Sequence, residues 1–466
     1  MIKYALIRSL YGSCIALLAS IHLLGFMCLN CDKSSGRPII TRPLEIKYVC
    51  CPITCGNYQP KSKIPALNEH KQLITFKPYG YIKLDVYYDS RQVIGSRDNQ
   101  VVLFPAPYRP DIFGQDINSR GGFQMSAIET RAGVAMTGPQ WCTLKTDGLI
   151  EIDFRGQTEL TNGCARLRHA YGTLIWDTGS FIFGQFWHPL FVPECYPHTV
   201  NFNYGSPFDP QARQPQLRVT QRWNNVELIV AGLSQRDFQS NGPFGLSTTY
   251  MRNALTPNWA TQLSMRFGEH IIGATFDYKR LVPRIVTDKN IKVVEQVNSI
   301  IVQAFAAFNH APISLRMKVI YAENGNDHVM ISGFGIRTID PVTDFRTYSP
   351  TAAISTWLDG SYTFHCDTVE LGAFIAYTKN IGSRDRLYID PSINEPIIYA
   401  LADISQKLDY VGRISPRVAW AHDPFRIGFE FEFLRAAYGT INSCGRINNA
   451  RAVNNIRLLG AFYYVF

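Results

Sequence analysis

Residues 425–433 read FRIGFEFEF. Phe425, Ile427, Phe429, Phe431 and Phe433 fall on one face of this stretch, and Arg426, Gly428, Glu430 and Glu432 on the other. Side chains along a strand point alternately to opposite sides, so period two with one apolar face predicts a β-strand. The same pattern recurs upstream. In Gly148–Gly156, Ile150, Ile152 and Phe154 alternate with Glu151, Asp153 and Arg155. In Ile313–Tyr321, Ile313, Leu315, Met317, Val319 and Tyr321 oppose Ser314, Arg316 and Lys318.

Working outward, sixteen such segments emerge: 79–90, 122–136, 148–156, 166–176, 179–187, 215–223, 225–234, 258–268, 270–281, 297–309, 313–323, 347–358, 366–379, 407–420, 424–437 and 454–466. Asp177-Thr178, Asn224, Glu269, His310–Pro312 and His422-Asp423 mark tight turns between them. Long connections lie near 91–121, 188–214, 235–257, 282–296, 324–346, 380–406 and 438–453, with 157–165 a short exception. A soluble sandwich has no reason to alternate short and long connections. A transmembrane β-barrel has one, because its periplasmic turns are short and its outer loops long. Tyr87, Tyr88, Trp176, Trp223, Trp259, Trp357, Tyr377, Trp420 and Tyr438 sit near strand ends, where a barrel carries aromatic girdles.

Composition agrees. The chain has 466 residues, and no Ser/Gly linker or charge block divides it after the first ~75 residues. Charged residues make up 18%, against a usual quarter, and aromatics 13%. A barrel with an apolar outside and a wet inside averages out this way. Lys3 and Arg8 followed by the uncharged run from Tyr11 to Met27 predict a signal peptide over 1–31, with no clear cleavage site. The polar, Pro- and Lys-rich stretch 32–75 is expected to be a flexible periplasmic lead-in, and 76–466 the barrel. Eleven cysteines suit an exported chain. Cys50, Cys51 and Cys55 are clustered, but no second ligand pair follows at metal spacing, so no metal site and no cofactor are expected.

The chain closes on IRLLGAFYYVF, residues 456–466, alternating and ending in Phe466. It resembles the terminal strand of bacterial outer-membrane proteins. RLRHAYG at 166–172, FGQFW at 183–187 and RQPQLR at 213–218 resemble the DcaP-like porin group, over about residues 165–222. That resemblance implies a homotrimeric, sixteen-stranded diffusion channel in the bacterial outer membrane. Proteins of that group typically carry an N-terminal coiled coil, whereas residues 32–75 show no heptads.

If the apolar faces meet lipid, the reverse faces line the lumen. They carry Arg155, Arg166, Arg168, Arg218, Arg222, Arg266, Arg316, Lys318, Arg413, Arg417, Arg426 and Arg457, against Glu151, Asp153, Glu370, Glu430 and Glu432. Fixed charge along a narrow path biases which ions enter, so an excess of Arg predicts a preference for anions, or else Arg–Glu pairs that cancel. The net charge of +9 agrees in sign. Residues 187–214, WHPLFVPECYPHTVNFNYGSPFDPQARQ, follow the fifth strand and form the third outer loop. In porins of the group this loop bends into the barrel. Pro189, Pro193, Pro197, Pro207 and Pro210 suit a fixed loop, and Glu194 and Asp209 are placed to face a basic wall.

Other functions fit less well. Among the ten histidines, His169, His188, His198, His310 and His422 are scattered, but no Gly-x-Ser-x-Gly occurs, so an enzyme is not expected. His169 falls on the apolar face of its strand, an interface position. No clustered basic-aromatic module suggests nucleic acid. The expected partners are outer-membrane lipid, small anionic solutes and further copies of the chain. The alternative is a structural or adhesion barrel whose pore is closed by loops.

Overall fold

The computed structural model describes residues 74–364 and 368–466. The expected signal and lead-in, with Cys50, Cys51 and Cys55, lie outside the described residues apart from Ile74 and Thr75. Sixteen antiparallel strands form one closed sheet. They are β1 (Thr75–Asp89), β2 (two pieces, Gly122–Ser126 and Arg131–Thr137), β3 (Lys145–Asp153), β4 (Arg166–Trp176), β5 (Gly179–Trp187), β6 (Arg213–Trp223), β7 (Val226–Leu233) and β8 (Asn258–Phe267). Then follow β9 (His270–Leu281), β10 (Val297–His310), β11 (Ile313–Glu323), β12 (Arg346–Thr363), β13 (Val369–Ser383), β14 (Leu408–His422), β15 (Phe425–Ile441) and β16 (Ile447–Val465).

Closure is made by β1 and β16, in register from Tyr81 opposite Val465 to Asp89 opposite Arg457. An open edge in lipid would leave backbone groups unpaired at several kcal/mol each, so a spanning sheet must close. The alternation fixes the faces. On β15, Phe429 is 51% exposed, while Glu430 and Glu432 are buried. Leu217, Leu263, Val319, Ile375 and Leu458 join Phe429 on an apolar outer wall, and Lys83, Asp153, Gln303, Lys318, Arg413 and Arg457 point inward.

Several boundaries differ from expectation. β12 runs past the expected 358 to Thr363, and β13 starts at Val369. The long final loop expected at 438–453 is a hairpin instead: Thr440 and Ile441 pair with Asn448 and Ile447. Three of the expected girdle aromatics, Tyr87, Trp357 and Tyr438, face inward, where each side chain donates a hydrogen bond. Tyr87 Oη donates to Asp98 O at 2.6 Å, Trp357 Nε1 to Asp209 Oδ1 at 2.9 Å, and Tyr438 Oη to Pro105 O at 2.5 Å.

Candidate functional site: the lumen and its constriction

The third outer loop, residues 188–212, leaves β5 and crosses the barrel interior. Its apolar residues Leu190, Val192, Cys195 and Phe208 pack against Phe305, Trp357 and Phe374 of the opposite wall. Polar contacts fix it there. Asp209 Oδ1 accepts from Lys318 Nζ at 2.8 Å and from Trp357 Nε1. Lys318 Nζ also donates to Leu190 O at 3.1 Å, and Ser355 Oγ to Phe208 O at 2.7 Å. Farther along, Asn201 donates from its backbone to Glu430 Oε2 (2.8 Å) and from its side chain to Glu432 Oε1 (2.6 Å). Arg413 NH1 donates to Asn203 Oδ1 at 2.9 Å. The inward fold expected of this loop is therefore present, anchored on β11, β12, β14 and β15.

Two other outer loops turn inward beside it. Val101–Phe104 and Val329–Ile331 are buried in the same apolar cluster. Both are short apolar runs (VVLF and VMI) inside otherwise polar connections, a signal legible in the sequence.

The expected Arg residues divide into groups. Arg166 holds Asp153 with two bonds (Nε to Oδ1 2.9 Å, NH2 to Oδ2 2.6 Å), and Arg168 holds Glu151 (2.6 Å) and Asp153 (3.1 Å). Such forked pairs are the strongest geometry open to a guanidinium. Arg155 lies just past the end of β3 with its guanidinium 4.3 Å from the Phe202 ring centroid. Burial and the neighbouring Arg166 lower it to about 9. Arg218 sits over Phe186 at 5.6 Å and shares none of these carboxylates. Arg222 is at the turn end, where it pairs with Glu227 at 2.6 Å. Arg417 grips Asp359 (2.6 Å) and Glu370 (3.0 Å), Arg316 lies 3.6 Å from Asp359, and Arg413 binds Glu430 (2.7 Å). Glu194, next to exposed Pro193, meets Arg266 at 2.6 Å, while Pro197 is buried.

Sequence reading missed Asp237, which lies in the loop after β7. It pairs with Arg213 and with Arg166 at 3.4 Å. Burial would raise its pKa, but Arg213 and Arg166 together hold it below the usual carboxylate range. On the loop, burial raises Asp209 to about 6 against the pull of Lys318, and burial, then Arg316 and Arg417, depress His198 to about 3.

His169 does not face lipid. A bulge pairs Glu151 with His169 and Ile152 with Leu167, skipping Arg168. This turns His169 inward, 5.5 Å from both Phe186 and Trp187. His188, Asp277 and His328 also converge, all buried, with ligating atoms within 4.8 Å of one another. The residue types could hold a cation. However, the Asn258 amide nitrogen sits 2.9 Å from His188 Nε2 and 2.7 Å from Asp277 Oδ1, where an ion would lie. As arranged, the trio buttresses the start of the third loop.

No family model and no curated protein sequence matches the chain. Among solved structures it is similar to the outer-membrane channel DcaP of Acinetobacter baumannii, with a TM-score of 0.60 and 15% identity over 84% of this chain and 97% of that one. It is also similar to OmpT of Vibrio cholerae, folded in vitro and in its trimer form, with a TM-score of 0.50 and 12% identity over 84% of this chain and 99% of that one. At these identities the likeness is one of fold, and it agrees with the apolar outer wall and polar lumen. The chain has the fold of the outer-membrane channel DcaP, a porin-type antiparallel barrel of sixteen strands.

Proposed function

We propose that this barrel is a diffusion channel for small hydrophilic solutes, with a preference for anions. The observation that carries the reading is the third loop, pinned across the lumen at Asp209–Lys318 so that it narrows the passage. A polar lumen inside an apolar wall suits hydrated solutes. Anion preference rests on Arg155 and Arg218, which among the described residues hold no carboxylate within salt-bridge distance, while Arg166, Arg168, Arg413 and Arg417 are paired. The barrel acts as a conduit and not as an enzyme: His188 is engaged by Asn258 and Asp277 in a packing role. Residues 1–31 are a signal that exports the chain, the stretch that follows leads in to the first strand, and the barrel assembles as a homotrimer. The trimer form of the OmpT neighbour supports that last point.

Planar-bilayer recording tests the reading. Single-channel steps in KCl, with a reversal potential on the anion side in a salt gradient, are expected. The alternative, a barrel closed by its loops, draws support from the inward Val101–Phe104 and Val329–Ile331 and predicts no steps.

A further inference from the structure

The outer wall carries an apolar groove of about 480 Å³ across β10 to β13. Its floor is a row of paired residues: Ala304, Val319, Thr356 and Tyr377 lie opposite one another on successive strands. A second row beside it runs from Ala306 to Ile375. Both rows face outward, since the residues between them, such as Phe305, Lys318 and Trp357, are buried inside. The depression follows from side-chain size. Ala304, Ala306 and Thr356 are short, whereas Val302, Phe308 and Ile354 around them are large and exposed. Thr356 brings no unmet polar group to the wall, because its Oγ1 donates to Lys318 O at 3.3 Å.

The first row runs on to a cation. Tyr377 pairs with Gly412 of β14, and Gly412 with Arg435 of β15. Arg435 therefore faces outward as well, two strand spacings or ~10 Å from Tyr377. Gly412 sets no side chain between them: the Tyr377 ring leans over it, with Cδ2 3.8 Å from where a Cβ would stand. Tyr377 stacks on Tyr410 with centroids 5.6 Å apart, and Tyr410 Oη accepts from Arg435 Nε at 3.1 Å. That bond orients the guanidinium, while its two terminal nitrogens have no partner among the described residues. Arg435 is exposed. Lys379 stands one row nearer the loops, its Nζ 6.0 Å from the Tyr410 ring centroid. Asp409 meets Lys379 at 2.6 Å, but among the described residues no carboxylate lies within salt-bridge distance of Arg435. Two cations against one carboxylate leave one positive charge at the end of the groove.

Arg435 lies beyond the outward Phe431 and Phe433, toward the loop end of β15, where a membrane wall meets lipid headgroups. Basic side chains at that level attract anionic headgroups. A hydrocarbon groove leading to an unneutralised guanidinium is the complement of a molecule with an acyl chain at one end and a phosphate at the other, and a guanidinium forks well onto phosphate oxygens. A second copy of the chain seated here would bury Arg435 unpaired unless it also brought a carboxylate. We propose that this groove holds an acyl chain of a single anionic phospholipid, with its phosphate on Arg435 and beside Lys379. The proposal rests on the barrel spanning a bilayer and not on what passes through it.

Native mass spectrometry of the purified barrel tests it. Titrated in detergent with dioleoyl phosphatidylglycerol, the barrel should take up one lipid per chain, saturably. Arg435→Gln should weaken that uptake at least tenfold. Ala304→Phe, which fills the groove and leaves the cation in place, should weaken it as well. Both positions face outward, so heat-modifiable gel mobility should be unchanged; Thr356→Leu is a second filling variant should Ala304→Phe fail to fold. Dioleoyl phosphatidylcholine, with the same chains and no net charge, should bind at least tenfold more weakly. Glycerol 3-phosphate, with the charge and no chain, should not bind. Equal uptake of the two lipids would overturn the proposal, as would uptake that survives both Arg435→Gln and a filled groove. Loss of a multimer in Ala304→Phe with lipid uptake unchanged would also overturn it, and would make the groove a contact between copies of this chain. No arm reads current, so failure here leaves the channel reading standing, and a barrel without current leaves the lipid site standing.

Discussion

Lys318 of β11 and Asp209 of the third loop form an ion pair of 2.8 Å inside the barrel, both side chains fully buried. The pair ties the loop to the wall opposite its origin, and it has a sign that can be measured. Burial raises Asp209 from an ordinary 3.8 to about 6. Between those values the folded protein holds a proton that the unfolded chain does not, so stability falls as pH rises through this window. A shift of this size corresponds to about 3 kcal/mol at most. Relative to Asp209→Asn, the wild-type barrel should gain stability from pH 7 to pH 5 and show no further difference below pH 4. Temperature series of gel mobility at each pH would show it. A pH-independent difference would mean that Asp209 is ionised throughout.

Removing residues 192–208 should raise single-channel conductance while leaving a heat-modifiable barrel. The segment hangs between two complete strands, and its bonds to the wall, such as Asn201 to Glu430 and Glu432, are not part of the sheet ladder. Unchanged conductance would place the narrowest point elsewhere, in the loops that carry Val101–Phe104 or Val329–Ile331.

Arg155→Gln with Arg218→Gln should move the reversal potential toward cations in a salt gradient, and the shift should shrink at high salt, as screening over about 8 Å at physiological strength requires. Folding should be little affected. Arg166→Gln with Arg168→Gln should behave differently. It takes both guanidiniums from Asp153 and one from Glu151, a loss of about 3–5 kcal/mol for a broken buried pair, seen as a lower unfolding temperature. Equal effects of the two double variants on stability would contradict this division.

Gly205 sits at φ +82°, and a Cβ there would meet Pro197 Cγ at 2.7 Å. Gly205→Ala should therefore strain the loop by about 1–2 kcal/mol from the backbone alone. The expected readout is noisier current and faster proteolysis within 192–208, with the barrel itself intact. Quiet current and an uncut loop would show that the turn adapts.

The barrel was legible because alternation such as that of Phe425–Phe433 is a local property: each strand states its own two faces. The turns were legible for the same reason. The lumen was less so. That Arg166 lies inward follows from its strand, but that Asp237 comes to meet it depends on the path of a loop. His169 was misplaced because a single skipped residue, Arg168, reverses every face beyond it, and nothing in RLRHAYG announces the bulge. Trp357 and Tyr438 were assigned to the membrane boundary from residue type. Their buried partners, Asp209 and Pro105, lie far away in sequence.

The anchoring of Asn201 on Glu430 spans 229 positions of the chain. The third loop is made long before the strand that finally holds it, and the sheet closes only when β16 meets β1. During synthesis, then, the loop waits without its last partners, and its full set of anchors is in place only once the wall around it is sealed. Contacts so remote in sequence form late and slowly. A barrel stalled before its last strands would hold a loop lacking its anchors on β15, so the final narrowing of the passage is tied in time to closure itself.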